Sequence, residues 1–198
     1  MTTFSPTRPA RPTAAPAAPR QKTFTVDEYH RLVEVGILAE GARTELIDGL
    51  ILNMAPFSPP HIAVVDRFTK AFVRLAGDDA RVSVQNSVRL DDGTEPEPDV
   101  MLLAADTPED RLPVASDVLL VVEVAVTTEA FDRNVKLVRY AEAGIPEAWL
   151  VLPEKRTVET FRRPGPGGYT ETALYTEADT VEVLGTALRV ADVFPPVA

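Results

Sequence analysis

The chain has 198 residues, 45% of them hydrophobic, enough for one domain with a real core. It contains no cysteine, which excludes disulfides, thiolate metal sites and thiol nucleophiles. Its formal net charge is −10, and removing the four positive charges of residues 1–22 (Arg8, Arg11, Arg20, Lys22; no acids) leaves about −14, a balance that opposes long-range steering toward nucleic acid.

Residues 1–22, rich in Pro, Ala and Arg, have too few bulky apolar groups to order themselves. A disordered tail is expected there, ahead of a single domain over 23–198. The N-terminus has no apolar stretch of the signal-peptide kind. The apolar run 118–126 is too short for a bilayer span, which takes roughly 20 residues. A cytoplasmic location without membrane contact is therefore expected.

Thr25 and Glu28 have the spacing of a capping box, and Val26, Tyr29, Leu32 and Val33 form a helical stripe that Gly36 ends. Two short apolar runs over 43–54 flank Asp48-Gly49, a two-residue hairpin signal. Ser58-Pro-Pro-His61 opens a second helix with Ile62, Val65, Phe68, Thr69, Phe72 and Leu75 on one face. Alternation predicts a strand over 81–90, and apolar runs predict strands over 99–103 and 118–126. A helix over 130–143 stops at Gly144 and Pro146, followed by a strand over 147–152. Segments 156–162 and 169–174 flank a Pro/Gly-rich turn and read as a hairpin. The order predicts an α/β fold: a central mixed sheet flanked by helices, with additional N-terminal and C-terminal β-hairpins. Strands 118–126 and 147–152 should be parallel, joined by a right-handed crossover.

Glu123 is the anomaly, a carboxylate inside a strand whose neighbours read as buried on both faces. Such a group needs a cation, an arginine or a metal to offset its burial. Asp99 begins the preceding strand after Glu95-Pro-Glu-Pro, which holds the backbone extended. Antiparallel pairing would bring Asp99 toward Glu123, and two close carboxylates suit Mg²⁺ or Mn²⁺. Lys136 shares a helix face with Asp132 and Tyr140. It is either half of a solvated ion pair or, if the crossover folds the helix back, a cation at the carboxylates.

Glu45-Leu-Ile-Asp-Gly49, Met54 to His61, Pro98-Asp-Val, Val122-Glu-Val124 and the run Lys136 to Val151 together resemble the Uma-two family of proposed endonucleases, a branch of the PD-(D/E)XK nuclease superfamily. The likeness covers about residues 23–195. It implies a restriction-endonuclease-like core and metal-dependent hydrolysis of phosphodiester bonds, giving 5′-phosphate and 3′-hydroxyl ends. It assigns Asp99 as the D of the PD element and Glu123 as the second-strand acid. Asp99, Glu123 and the Val124 carbonyl would hold Mg²⁺ or Mn²⁺. The usual lysine position, two after the acid, is Ala125 here, and Lys136 takes that role from the following helix. Glu45 and His61 are secondary catalytic candidates. Val126-Thr-Thr-Glu129 replaces a Ser-Pro-Ser-like turn, with Thr127 and Thr128 available as helix caps. Nucleic acid, DNA in the first place, is the implied partner, and a homodimer stays open.

The charge keeps a second reading in view: a non-catalytic nuclease-fold module that binds protein. A third would use the same acids as an acid/base pair held roughly 6.5–9.5 Å apart on another substrate. If nucleic acid is the substrate, Arg67, Lys70, Arg74, Arg81, Arg89, Arg133 and Arg139 are the candidates for a basic rim around the acidic pocket.

Overall fold

The computed structural model describes residues 21–39 and 41–196. The expected tail lies outside the described residues over 1–20; its last residue, Lys22, is described and pairs with Glu28 at 2.9 Å. No helix among the described residues is long and apolar enough to cross a membrane.

Helix α1 (Val26–Glu34) starts where the capping box places it. The Glu28 N–H donates to Thr25 Oγ1 (3.1 Å) and the Thr25 N–H to Glu28 Oε2 (3.0 Å), so two end donors are satisfied reciprocally. Strands β1 (Thr44–Ile47) and β2 (Leu50–Asn53) pair antiparallel across Asp48-Gly49. Both turn residues have positive φ, 53° and 75°, as a type I′ turn requires. Residue 49 must be glycine for a further reason: a Cβ there would lie 2.5 Å from that of Thr23. Reciprocal backbone bonds between Leu46 and Glu95 (2.7 and 3.3 Å) tie β1 to the segment before Asp99, which carries neighbouring Glu45 into the interior.

The main sheet has six strands in the order β3 (Ala80–Val84), β4 (Val100–Ala104), β5 (Val118–Val124), β6 (Glu147–Leu152), β7 (Thr157–Gly165) and β8 (Gly168–Thr176). Strands β5 and β6 are parallel, as the crossover requires, and all other neighbours are antiparallel. The strand expected over 81–90 stops at Val84 because Gln85 turns to φ 50°. Val88 and Leu90 keep the alternation but donate to the Pro96 and Thr94 carbonyls outside the sheet. The hairpin expected over 156–174 is longer and extends the sheet. A separate hairpin, β9 (Thr180–Val183) and β10 (Thr186–Arg189), was not legible in the sequence; it turns at Leu184-Gly185, both at positive φ.

Each face of the sheet is covered. Helix α2 (Pro59–Ala76) and the β9–β10 hairpin cover one face, with Phe68 and Phe72 edge-on to Trp149 at 6.1 and 5.9 Å. The buried stripe of α2 runs His61, Val64, Val65, Phe68, Phe72, whereas Ile62, expected inside, is 46% exposed. The stripe is anchored on a polar residue, which a purely apolar reading passes over. The other face is covered by the β5–β6 crossover, built of α3 (Glu129–Phe131), one π-helical turn (Asp132–Lys136) and α4 (Leu137–Glu142), with Leu137, Tyr140 and Ala141 packed down. A regular helix was expected there, and the π turn is the departure that matters for the site.

Candidate active site

The chain brings Glu45, His61, Asp99, Glu123, Val124 and Lys136 to one cleft of about 300 Å³. Asp99 immediately precedes β4. Its Oδ2 accepts the Val124 N–H at 2.8 Å, which seats the carboxylate against the residue after Glu123. Its Oδ1 lies 2.8 Å from His61 Nε2 in the first turn of α2. His61 stacks on Phe57, ring centroids 4.7 Å apart, so packing fixes its plane.

Glu123 is 3% exposed, on a strand covered on both faces. The cation that offsets its burial is Lys136, with Nζ 2.7 Å from Oε1; no arginine among the described residues pairs with it. Lys136 Nζ also lies 3.2 Å from Glu45 Oε1. The Tyr140 hydroxyl donates to the same Glu123 oxygen, so the bonds to this carboxylate gather on Oε1. One π turn, Asp132–Lys136, lies on this inward helix face. Asp132 and Lys136 are both buried within it, and such turns concentrate at functional sites. Thr128, expected to cap this helix through its hydroxyl, makes no such cap bond. The hydroxyl donates instead to Asp132 Oδ2, satisfying a buried carboxylate.

Burial pushes the Glu123 carboxyl well above its ordinary pKa, and Lys136 pulls it back only in part against Asp132, Asp99 and Glu45. Asp132 is raised for the same first reason, opposed by Lys136 and its bond from Thr128. Burial would strip the proton from Lys136, but Glu123, Glu45 and Asp132 outweigh it and hold the ammonium firmly charged. Burial and Glu123 together keep Tyr140 neutral, so its hydroxyl retains the proton it donates to Glu123. Four buried carboxylates (Glu45, Asp99, Glu123, Asp132) thus face one buried ammonium. Glu45 Oε2 and His61 Nδ1 are buried with no hydrogen-bond partner. Crowded buried carboxyl groups, one with an orphaned oxygen, suit a hard cation held by oxygen ligands. Among the described residues, however, no three His, Asp or Glu side chains form a ready-made cage.

None of the seven residues expected as a basic rim lines the cleft; Arg43 does, stacked 3.4 Å over the Phe57 ring. Arg81, Arg89, Arg133 and Arg139 are engaged by Glu109, Asp92, Glu159 and Asp48. Asp132, Glu97 and Arg43 also line the cleft and were not among the candidate residues. Only Asp132 left a signal, its four-residue spacing to Lys136.

The six-stranded mixed sheet with helices on both faces is a nuclease-like architecture. It is similar to a crystal structure from Anabaena variabilis ATCC 29413 described as "a putative nuclease belonging to DUF820". The two share 18% identity with a TM-score of 0.68, over 86% of this chain and 97% of that one, a likeness of fold. The chain belongs to the Uma2 family, described as "Putative restriction endonuclease", whose profile matches residues 26–191. No curated protein matches the chain.

Proposed function

We propose that this protein is a metal-dependent endonuclease of the PD-(D/E)XK type, hydrolysing phosphodiester bonds of nucleic acid, DNA in the first place. The observation that carries the reading is the crowding of four buried carboxyl groups, Glu45, Asp99, Glu123 and Asp132, around the single buried ammonium of Lys136. Asp99, Glu123 and the Val124 carbonyl would hold Mg²⁺ or Mn²⁺. When bound, such an ion acidifies water and polarises a phosphate oxygen.

The chain's own groups do the rest. The Val124 N–H and His61 fix both oxygens of Asp99, so its orientation is set before any ligand arrives. Lys136 stays protonated and therefore serves as a cation, not as a base. It orients the attacking water and offsets charge developing on the phosphate. Tyr140 and Glu45 hold Glu123 and Lys136 in register. Attack of water forms a P–O bond as the P–O3′ bond breaks. The water proton leaves to solvent and the 3′-oxygen is protonated, giving 5′-phosphate and 3′-hydroxyl ends.

The test is cleavage of plasmid and single-stranded substrates with Mn²⁺, with Mg²⁺ and with chelator, comparing the native protein with Glu123→Ala. Metal-dependent cleavage by the native protein alone is expected. Absence of metal-dependent cleavage from every substrate would favour a non-catalytic nuclease-fold module instead.

A further inference from the structure

A cleft with this charge repels phosphates, so a nuclease built on it must hold the backbone elsewhere. On the flank of α2, Arg67, Lys70 and Arg74 face Arg189 of the β9–β10 hairpin across a groove of about 430 Å³. The spacing 67, 70, 74 places the three on one helix face. The groove holds one carboxylate, Asp192, already bound by Arg189 at 2.6 Å.

The charges here are treated unlike those elsewhere. Arg133, Arg139 and Arg111 are each clamped to an acid at 2.6 Å. Among the described residues, Arg67, Lys70 and Arg74 have no carboxylate partner, and Arg67 reaches only the Asp192 carbonyl, at 3.5 Å. In a chain of net charge −10, leaving three neighbouring cations unpaired concentrates positive potential in one groove.

Helix α2 begins at the cleft, where His61 contacts Asp99. At about 1.5 Å per residue, Arg67, Lys70 and Arg74 lie roughly 9, 14 and 20 Å further along its axis. A polyanion laid along this helix reaches the cleft at the helix N-terminus.

We infer that the groove between α2 and the β9–β10 hairpin is the docking surface for the phosphodiester backbone of duplex DNA. This rests on the nuclease reading and names where its substrate is held. The contacts are to phosphate, so they confer affinity and register without sequence preference.

The experiment is binding of a labelled DNA duplex to the full chain in chelator, where no cleavage intervenes, across a salt series. Native protein is compared with Arg67→Ala/Lys70→Ala/Arg74→Ala and, as a control, with Arg163→Ala, an exposed arginine outside the groove. Each lost phosphate contact should lower the slope of log K against log salt by about 0.9, so the triple variant should lose roughly 2.7 of slope, and bind at least about tenfold more weakly at low salt. Arg163→Ala should match the native protein. If the triple variant does not fold, Lys70→Ala and Arg74→Ala singly should each cost about 0.9 of slope. Undiminished binding by the groove variants, or native protein that binds no duplex, overturns the inference. If native protein cleaves DNA while the groove variants bind normally, the inference falls and the nuclease reading stands. If groove-dependent binding occurs without metal-dependent cleavage, the nuclease reading falls and the docking surface stands.

Discussion

The two ends of α2 handle charge in opposite ways. At its N-terminus, His61 and the cleft hold four buried carboxylates against one ammonium, every group fixed by packing or hydrogen bonds. Along its flank, half-buried Arg67 and exposed Lys70 and Arg74 form no ion pair with a carboxylate among the described residues. Buried charge is costly and persists only when the surroundings determine it. Exposed charge is nearly free in stability but shapes the field felt by a polyanion. The first arrangement fits chemistry on a bound group and the second fits capture of a large one.

The comparison predicts different mutational costs. Lys136→Met leaves Glu45, Glu123 and Asp132 buried without their cation. Chemical denaturation should show a loss of about 3–5 kcal/mol, as for other broken buried pairs. A loss under about 1 kcal/mol would mean the carboxylates are protonated or hydrated in the native protein. A smaller effect is expected from Gly49→Ala, which forces a Cβ against Thr23 and strains the hairpin that carries Glu45. It should cost about 1–3 kcal/mol in the same measurement, and activity should fall as Glu45 shifts. Lys70→Ala or Arg74→Ala at the other end should change stability by no more than about 0.5 kcal/mol. A larger loss there would show that the groove cations have structural partners, and the contrast between the two ends would dissolve.

Much of this was legible before the fold. The capping box at Thr25, the Asp48-Gly49 turn and the parallel β5–β6 pair follow from local rules, and local rules suffice where few alternatives compete. Glu123 stood out because a carboxylate in a doubly buried strand needs a cation, an arginine or a metal to offset its burial. Other features depend on contacts distant in sequence. Gln85 breaks a strand whose alternation runs on to Leu90, so periodicity alone overshoots. The π turn at Asp132–Lys136 leaves no trace in apolar spacing, because the residues it buries are charged. His61 heads the buried stripe of α2 where an apolar reading prefers Ile62. The expected basic rim failed for a related reason. Sequence gives the number of cations but not which acids clamp them, and Arg133 and Arg139 are spent on Glu159 and Asp48.

The most direct test of the central claim, that the cleft's negative excess awaits a divalent cation, is thermal melting of native protein and Glu123→Gln with and without Mg²⁺ or Mn²⁺. An ion that binds only the folded state raises its stability as its concentration passes Kd. Glu123→Gln removes one excess charge, leaves Lys136 paired with Glu45, and keeps an oxygen for the Tyr140 hydroxyl. The account predicts that metal raises the melting temperature of the native protein and not of the variant. It also predicts that the metal-free variant melts at or above the native temperature. A strongly destabilised Glu123→Gln, with no response of the native protein to either ion, would contradict it and leave Glu123 as the structural partner of Lys136.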